Sequence, residues 1–232
     1  MKQIFIVSQS KGGSGKSFFT TLMAHKYEEE VEVGFYDMDN STLTLSSQIS
    51  FIKNFKNRIL KASILNENGR IERDKMVKLF EALAEDKFEK IFIDMGATES
   101  DQLYQFLLND LTCEDLKEFM VEISCDLSFI IPVSGNTATK ATSNYAKLMF
   151  NLVSDFFKIF IVENLELTDH DSSIEIGNIL GVEAETIKFG KTEGDTERGK
   201  RVVNMIKEGK SATTLNILTR GKMRSLLEPL NF

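Results

Sequence analysis

The sequence predicts an α/β fold, a mostly parallel central sheet with helices on both faces. Two observations carry that prediction. Six short β-rich runs recur along the 232 residues, with helix-spaced stretches between them. Several runs are apolar almost throughout, as strands covered on both faces are. Alternating strand and helix implies parallel pairing through right-handed crossovers. With two prolines, no repeat and no obvious linker, residues 1–232 are expected to form one domain around one sizeable core.

In chain order, the first strand is QIFIV (3–7), and the loop SKGGSGKS leads from it into a helix beginning FFTTLMAHKYEEE (18–30). The second strand, EVGFYD (32–37), runs into DMDNST. A helix over RDKMVKLFEALAED (73–86) precedes the third strand, KIFIDM (90–95). LSFIIPV (127–133) and KIFIVEN (158–164) are strands on either side of the helix TKATSNYAKLMFNLVSDF (139–156). ETIKF (185–189) is the last strand and ERGKRVVNMIKEG (197–209) the helix after it. The apolar spacing of the helical stretches suits packing on a sheet. Ligands bind such sheets beyond the carboxyl ends of the strands, so the residues that follow strands are the ones to read for chemistry.

Composition removes several function classes. Hydrophobic content of 42% and charged content of 27% are ordinary for a soluble globular protein. No run approaches the ~18 apolar residues of a membrane span. The N-terminal apolar run is too short for a signal peptide, so a cytoplasmic location is expected. Cys113 and Cys125 lack CxxC spacing and a flanking His, and read as incidental thiols. His25 and His170 are the only histidines, too few for a zinc site or a His-based nucleophile triad.

The loop after the first strand carries the strongest signal. Gly12, Gly13, Ser14 and Gly15 let backbone N–H groups curl around phosphate oxygens, and the next helix adds its positive end. Lys16 would reach the β and γ phosphates, and the Ser17 hydroxyl would ligate Mg²⁺. The pattern GxxxxGK[ST] asks for Gly at position 10, where this chain has Ser10, and a second lysine stands at Lys11. Asp37 and Asp39 end the second strand. They are either polar residues turning into a loop or candidates for holding the metal shell and ordering an attacking water. Asp94 ends the third strand, the place for an acid contacting Mg²⁺ through water, and Gly96 follows where backbone can approach a γ-phosphate.

KGGSGKS, DMD and IFIDMGA together resemble the deviant-Walker-A P-loop ATPases of the ParA and MinD family. The resemblance implies ATP and Mg²⁺ as ligands, slow hydrolysis to ADP and phosphate, and an ATP-dependent homodimer that acts as a switch. It implies that Lys16 serves the chain's own ATP while Lys11 crosses the dimer interface to the partner's phosphates, where added positive charge offsets the repulsion between two ATP-laden faces. It carries water positioning to Asp39, metal support to Ser17, Asp37 and Asp94, and γ-phosphate sensing to the segment after Asp94. It also carries nucleotide contacts to Gly12, Gly13, Ser14, Gly15, Lys16, Ser17 and Phe18, and reading of the adenine edge to Asn164. IFIDMGATES, MVEISCDLSFIIPVSGNTAT and LNILTRGKMRSLLEPL are similar in order and spacing to TraL/MobD-like proteins of conjugative and mobilisable plasmids. That implies a role in transfer, mobilisation or partition. Asn40 stands where partition ATPases commonly have proline, and Met95-Gly96 follows Asp94 in place of a Pro-containing stretch, so the resemblance does not carry over the identity of the switch partners, though it does carry ATP binding.

Two regions leave alternatives open. Residues 188–224 hold ten Lys or Arg against four Asp or Glu in a chain of net charge −7. This is either a solvated helical face or a basic surface for non-specific DNA or a plasmid-encoded protein partner, and the acidic remainder favours a dimer-made patch or a protein. The tail TTLNILTRGKMRSLLEPLNF sets Leu215, Leu218, Leu226 and Leu227 beside Arg220, Lys222 and Arg224. It is either a packed helix or an interfacial one of the MinD kind, interrupted at Gly221 and ended by Pro229. An ATP-dependent metabolic enzyme on the same scaffold is a further alternative, but nothing beyond the nucleotide motifs suggests a substrate pocket.

Overall fold

In the computed structural model, residues 1–39, 44–181 and 186–232 are described. The elements in order are β1 (Lys2–Val7), α1 (Lys16–Lys26), β2 (Val33–Asp37), α2 (Thr44–Gln48), α3 (Phe55–Arg58), β3 (Ile59–Lys61), α4 (Arg73–Glu85), β4 (Lys90–Asp94), α5 (Ala97–Asn109) and α6 (Cys113–Glu122). Then follow β5 (Cys125–Val133), α7 (Thr139–Val153), β6 (Lys158–Asn164), α8 (His170–Leu180), β7 (Thr186–Phe189), α9 (Glu197–Lys207) and α10 (Ile217–Leu227). All seven strands pair parallel in the order β3-β2-β4-β1-β5-β6-β7.

Residues alternate along each strand between two apolar layers, as the period of two requires. Ile4 and Ile6 of β1 join Phe80, Leu103, Met120 and Met149 on the α4–α8 side. Phe5 and Val7 join Phe19, Leu22, Val202 and Leu226 on the side of α1, α9 and α10. In that second layer Phe35, Phe92 and Phe5 stack across β2, β4 and β1, with centroids 5.8 and 5.0 Å apart. Each such pair adds about 0.5–1.5 kcal/mol beyond its area burial. Register continues the same columns to the strand ends, where Val7, Asp94 and Asp37 lie level. Their side chains therefore emerge on the α1 side.

The expected strands and helices are present within a few residues, apart from the last strand's first residue, Glu185, which lies outside the described residues along with Asn40. Elements that periodicity did not reveal are the short α2 and α3, the three-residue edge strand β3, and α5, α6 and α8. Gly221 does not interrupt the terminal helix. It sits inside α10 with open space around it, and Met223 and Leu226 bury the helix against the core. The exposed glycine costs about 1 kcal/mol relative to Ala, less than burial of two large side chains returns.

Candidate nucleotide site

The loop from β1 to α1 is built for close approach. Gly13 and Gly15 have φ of 75° and 103°, a region side chains avoid. A Cβ on Gly15 would stand 2.3 Å from Asn164 Nδ2. Gly15 is also the N-cap of α1 and supplies no side-chain cap, so the helix's first N–H groups face the loop. The loop is braced from behind. Gln9 donates to Pro132 O (2.8 Å) and Thr142 O (3.1 Å), and its backbone N–H donates to Ser100 Oγ (3.0 Å). The Tyr145 hydroxyl joins Ser8 Oγ (2.6 Å) to Ser100 O (2.9 Å). The Ser100 hydroxyl in turn donates to Gly96 O (2.7 Å). One buried network thus joins the loop to the end of β4 and to α7.

Lys16 is only 7% exposed and donates to Gln9 O at 2.9 Å. Burial lowers its pKa, while Asp94, Asp39 and Glu99 act to raise it. Asp94, at 0% exposure, has its carboxyl pushed up to about 7 by burial; the nearby Ser17 hydroxyl opposes the rise, Asp37 and Asp39 add to it and Lys16 opposes it. Ser17 comes close enough to favour the charged form, yet neither Asp94 oxygen completes a hydrogen bond. Asp37 accepts from Ser46 N (2.9 Å) and Ser46 Oγ (2.5 Å) through Oδ2, while its buried Oδ1 has no partner. Such orphaned buried acceptors each cost about 1–3 kcal/mol and mark a place for a cation or polar ligand.

A cleft of about 610 Å³ opens over these groups. Gly12 through Phe18, Asp39 and Asn164 line it, with Leu167, Thr192, Val203 and Ile206 toward the α9 end. Asp37 and Asp94 lie beneath the cleft rather than on its wall. Lys11 is exposed and does not line the cleft of its own chain; its backbone N–H donates to Gln9 Oε1 at 3.3 Å. Phe18 packs at 6.1 Å against Phe189. Asn164 is 2% exposed, with Nδ2 donating to Ser14 O (3.4 Å) and Oδ1 accepting from Glu166 N (3.1 Å). It therefore braces the loop as well as lining the cleft. Glu166 is fixed by Thr192, whose N–H and hydroxyl donate to Oε2 at 2.8 and 2.6 Å.

Sequence reading missed Gln9, Ser100, Tyr145 and Glu99. Glu99 carried one usable signal: a glutamate three residues into a helix that starts just after a strand-end Asp-Met-Gly.

A glycine loop between a central strand and an uncapped helix, with a buried lysine beside strand-end carboxylates, has the layout of a P-loop on a parallel α/β sheet. Comparison of the structure with solved ones narrows the class. A Borrelia burgdorferi B31 protein assigned to plasmid partition and bound to AMPPNP aligns with TM-score 0.57 and 17% identity, over 99% of this chain and 98% of that one. A chain of the Aquifex aeolicus MinC:MinD cell division protein complex gives 0.58 and 11%, over 98% of this chain and 95% of that one. A ParA family ATPase from Chlorobium tepidum TLS gives 0.57 and 14%, over 99% of each chain. The chain has the P-loop ATPase fold of ParA and MinD proteins. No family model and no curated protein sequence matches it.

Proposed function

We propose that residues 1–232 act as one ATP-binding, slowly hydrolysing switch ATPase of the ParA/MinD type, dimeric with ATP, in plasmid conjugative transfer, mobilisation or partition. The observation that carries this reading is the P-loop whose buried Lys16 lies beside Asp94, with both carboxylate oxygens unpartnered, under an open cleft where Asp37 also keeps one unpartnered oxygen. The same fold in proteins crystallised with AMPPNP supports the choice of nucleotide. The similarity of the 91–100, 120–139 and 215–230 segments to TraL/MobD-like proteins supports transfer or mobilisation.

In this reading the loop N–H groups and Lys16 bind the phosphates, and Asn164 holds the base end. Ser17, Asp37 and Asp94 would hold Mg²⁺. Among the described residues no group of three His, Cys, Asp or Glu forms a metal cluster. Two carboxylates and a hydroxyl fit a cation that completes its shell with phosphate oxygens and water. When bound, the ion supplies neutralisation of phosphate charge. Asp39 orders the attacking water. Lys11, free of its own cleft, serves the neighbouring chain's nucleotide. Non-specific DNA or a plasmid-encoded protein is the expected partner.

Equilibrium binding of a fluorescent ATP analogue tests the division of labour between the lysines. Lys16→Ala should lose at least about a hundredfold in affinity, by removing a charged hydrogen-bond donor from a buried site. Lys11→Ala should bind within about threefold of wild type, as expected of an exposed cation. Equal losses in the two variants would refute it.

One observation favours a second reading, surface attachment of the MinD kind. Ile217 and Leu218 at the start of α10 are 78% and 62% exposed beside Arg220. Among the described residues no helix is long and apolar enough to cross a membrane. Sedimentation with anionic vesicles, lost on Ile217→Ser with Leu218→Ser, would establish attachment.

A further inference from the structure

Glu99 is 4% exposed in the first turn of α5, the helix that follows the end of β4. Its side chain folds back over Gly96: a Cβ there would stand 2.1 Å from Glu99 Oε2 and 3.2 Å from Asp39 Oδ1. A side chain at position 96 would have to push the Glu99 carboxylate aside and crowd Asp39, so the two carboxylates flank the same bare backbone position. Both also act on the Lys16 ammonium, favouring its charged form. Independently, the adjacent Asp94 is fully buried with both oxygens unpartnered, which marks this end of the cleft as one completed by a polar ligand.

We propose that Glu99 is a second water-holding carboxylate, acting with Asp39 on the water that attacks the γ-phosphate. The assignment rests on the ATPase reading above. A water whose two O–H groups are both accepted by fixed carboxylates presents a lone pair away from them. Its oxygen bonds to the γ-phosphorus as the bond from that phosphorus to the β–γ bridging oxygen breaks, and the electron pair leaves on ADP. The water's proton passes through a carboxylate to the released phosphate.

Glu99 also occupies the third helical position after the N-cap Gly96, where Glu or Gln caps a helix by reaching back. That alternative decides the variant. Glu99→Gln preserves a capping side chain but replaces one of two anionic acceptor oxygens with an N–H₂ donor. The experiment is single-turnover hydrolysis of Mg-ATP by wild type, Glu99→Gln, Asp39→Ala and the double variant, with analogue affinity and thermal midpoint measured on each. Glu99→Gln should hydrolyse at least about tenfold more slowly. Its affinity should stay within about threefold and its midpoint within about 2 °C of wild type. Two residues that hold one water act as a unit, so the double variant should be no more than about twofold slower than the slower single.

Unchanged hydrolysis in Glu99→Gln, a loss that follows affinity, or a double variant whose effects multiply would overturn the assignment and leave the ATPase reading standing. A wild-type chain that binds no ATP would overturn both.

Discussion

Two cationic regions of this chain put positive charge to opposite uses. In the loop after β1, Lys16 is almost fully buried, donates to a backbone carbonyl and lies among Asp94, Asp39 and Glu99. Around α9 and α10, ten Lys and Arg are spread over residues 188–224, and several are partnered by near neighbours. Lys200 lies 3.6 Å from Glu197, Lys210 2.7 Å from Glu208 and Lys222 3.1 Å from Glu193. Burial makes a single lysine specific, because its charge is weakly screened and its geometry is fixed. An exposed cluster of ten is partly cancelled locally, and each pair contributes little. A local excess of cations is therefore weaker evidence for a binding surface than one buried ammonium.

Substitutions sharpen that contrast, beginning with the largest effect. Gly15→Ala forces a side chain into φ of 103° and against Asn164, which should cost about 1–3 kcal/mol of stability and at least about tenfold in ATP affinity. Thermal melts and analogue titration read the two losses.

A buried base gives the next effect. His25 lies stacked at 4.0 Å on Phe51 with neither ring nitrogen hydrogen-bonded, and burial lowers its pKa to about 3 from 6.5. The unfolded chain takes up that proton first. This contribution to stability is thus complete above pH 6.5 and is lost as pH falls toward 3, by about 1.4 kcal/mol per unit. Denaturant unfolding at pH 7 and pH 5 should show wild type losing about 2 kcal/mol more than His25→Phe does. Equal losses would contradict the neutral, buried state.

Smaller still, Tyr145→Phe strands the buried Ser8 hydroxyl and should cost about 1–2 kcal/mol, read as a midpoint lowered by several degrees. At the far end of the scale, Lys200→Ala breaks only the pair with Glu197 and should change stability by less than about 0.5 kcal/mol.

The same contrast explains what the sequence made legible. β1, β2 and β4 are apolar runs that end at the candidate site, so the glycine loop, Asp37 and Asp94 are readable along the chain. Their register, with Val7, Asp94 and Asp37 level, emerges only on pairing. α5 escaped because its first turns, ATESDQ, are polar and mask the buried face of Leu103, Phe106 and Leu107. Gln9 and Tyr145 escaped because their partners are distant: Gln9 bonds Ser100 and Thr142, and Tyr145 bonds Ser8. Asn164 stands out in the sequence by its place at a strand end, but its contact with Ser14 requires the fold. In the tail, leucine spacing suited either a packed or an interfacial helix. Packing buries Met223 and Leu226, while Ile217 and Leu218 stay in solvent.

The central claim is a switch in which ATP joins two chains. The most direct test is molar mass by light scattering in Mg-ATP and in Mg-ADP, on wild type, Lys11→Ala and Asp39→Ala. The account predicts a monomer in ADP and a dimer in ATP. The dimer should be more complete in Asp39→Ala, which keeps its ATP, and absent in Lys11→Ala. A wild-type monomer in ATP at concentrations where binding is saturated, or a Lys11→Ala dimer equal to wild type, would contradict it.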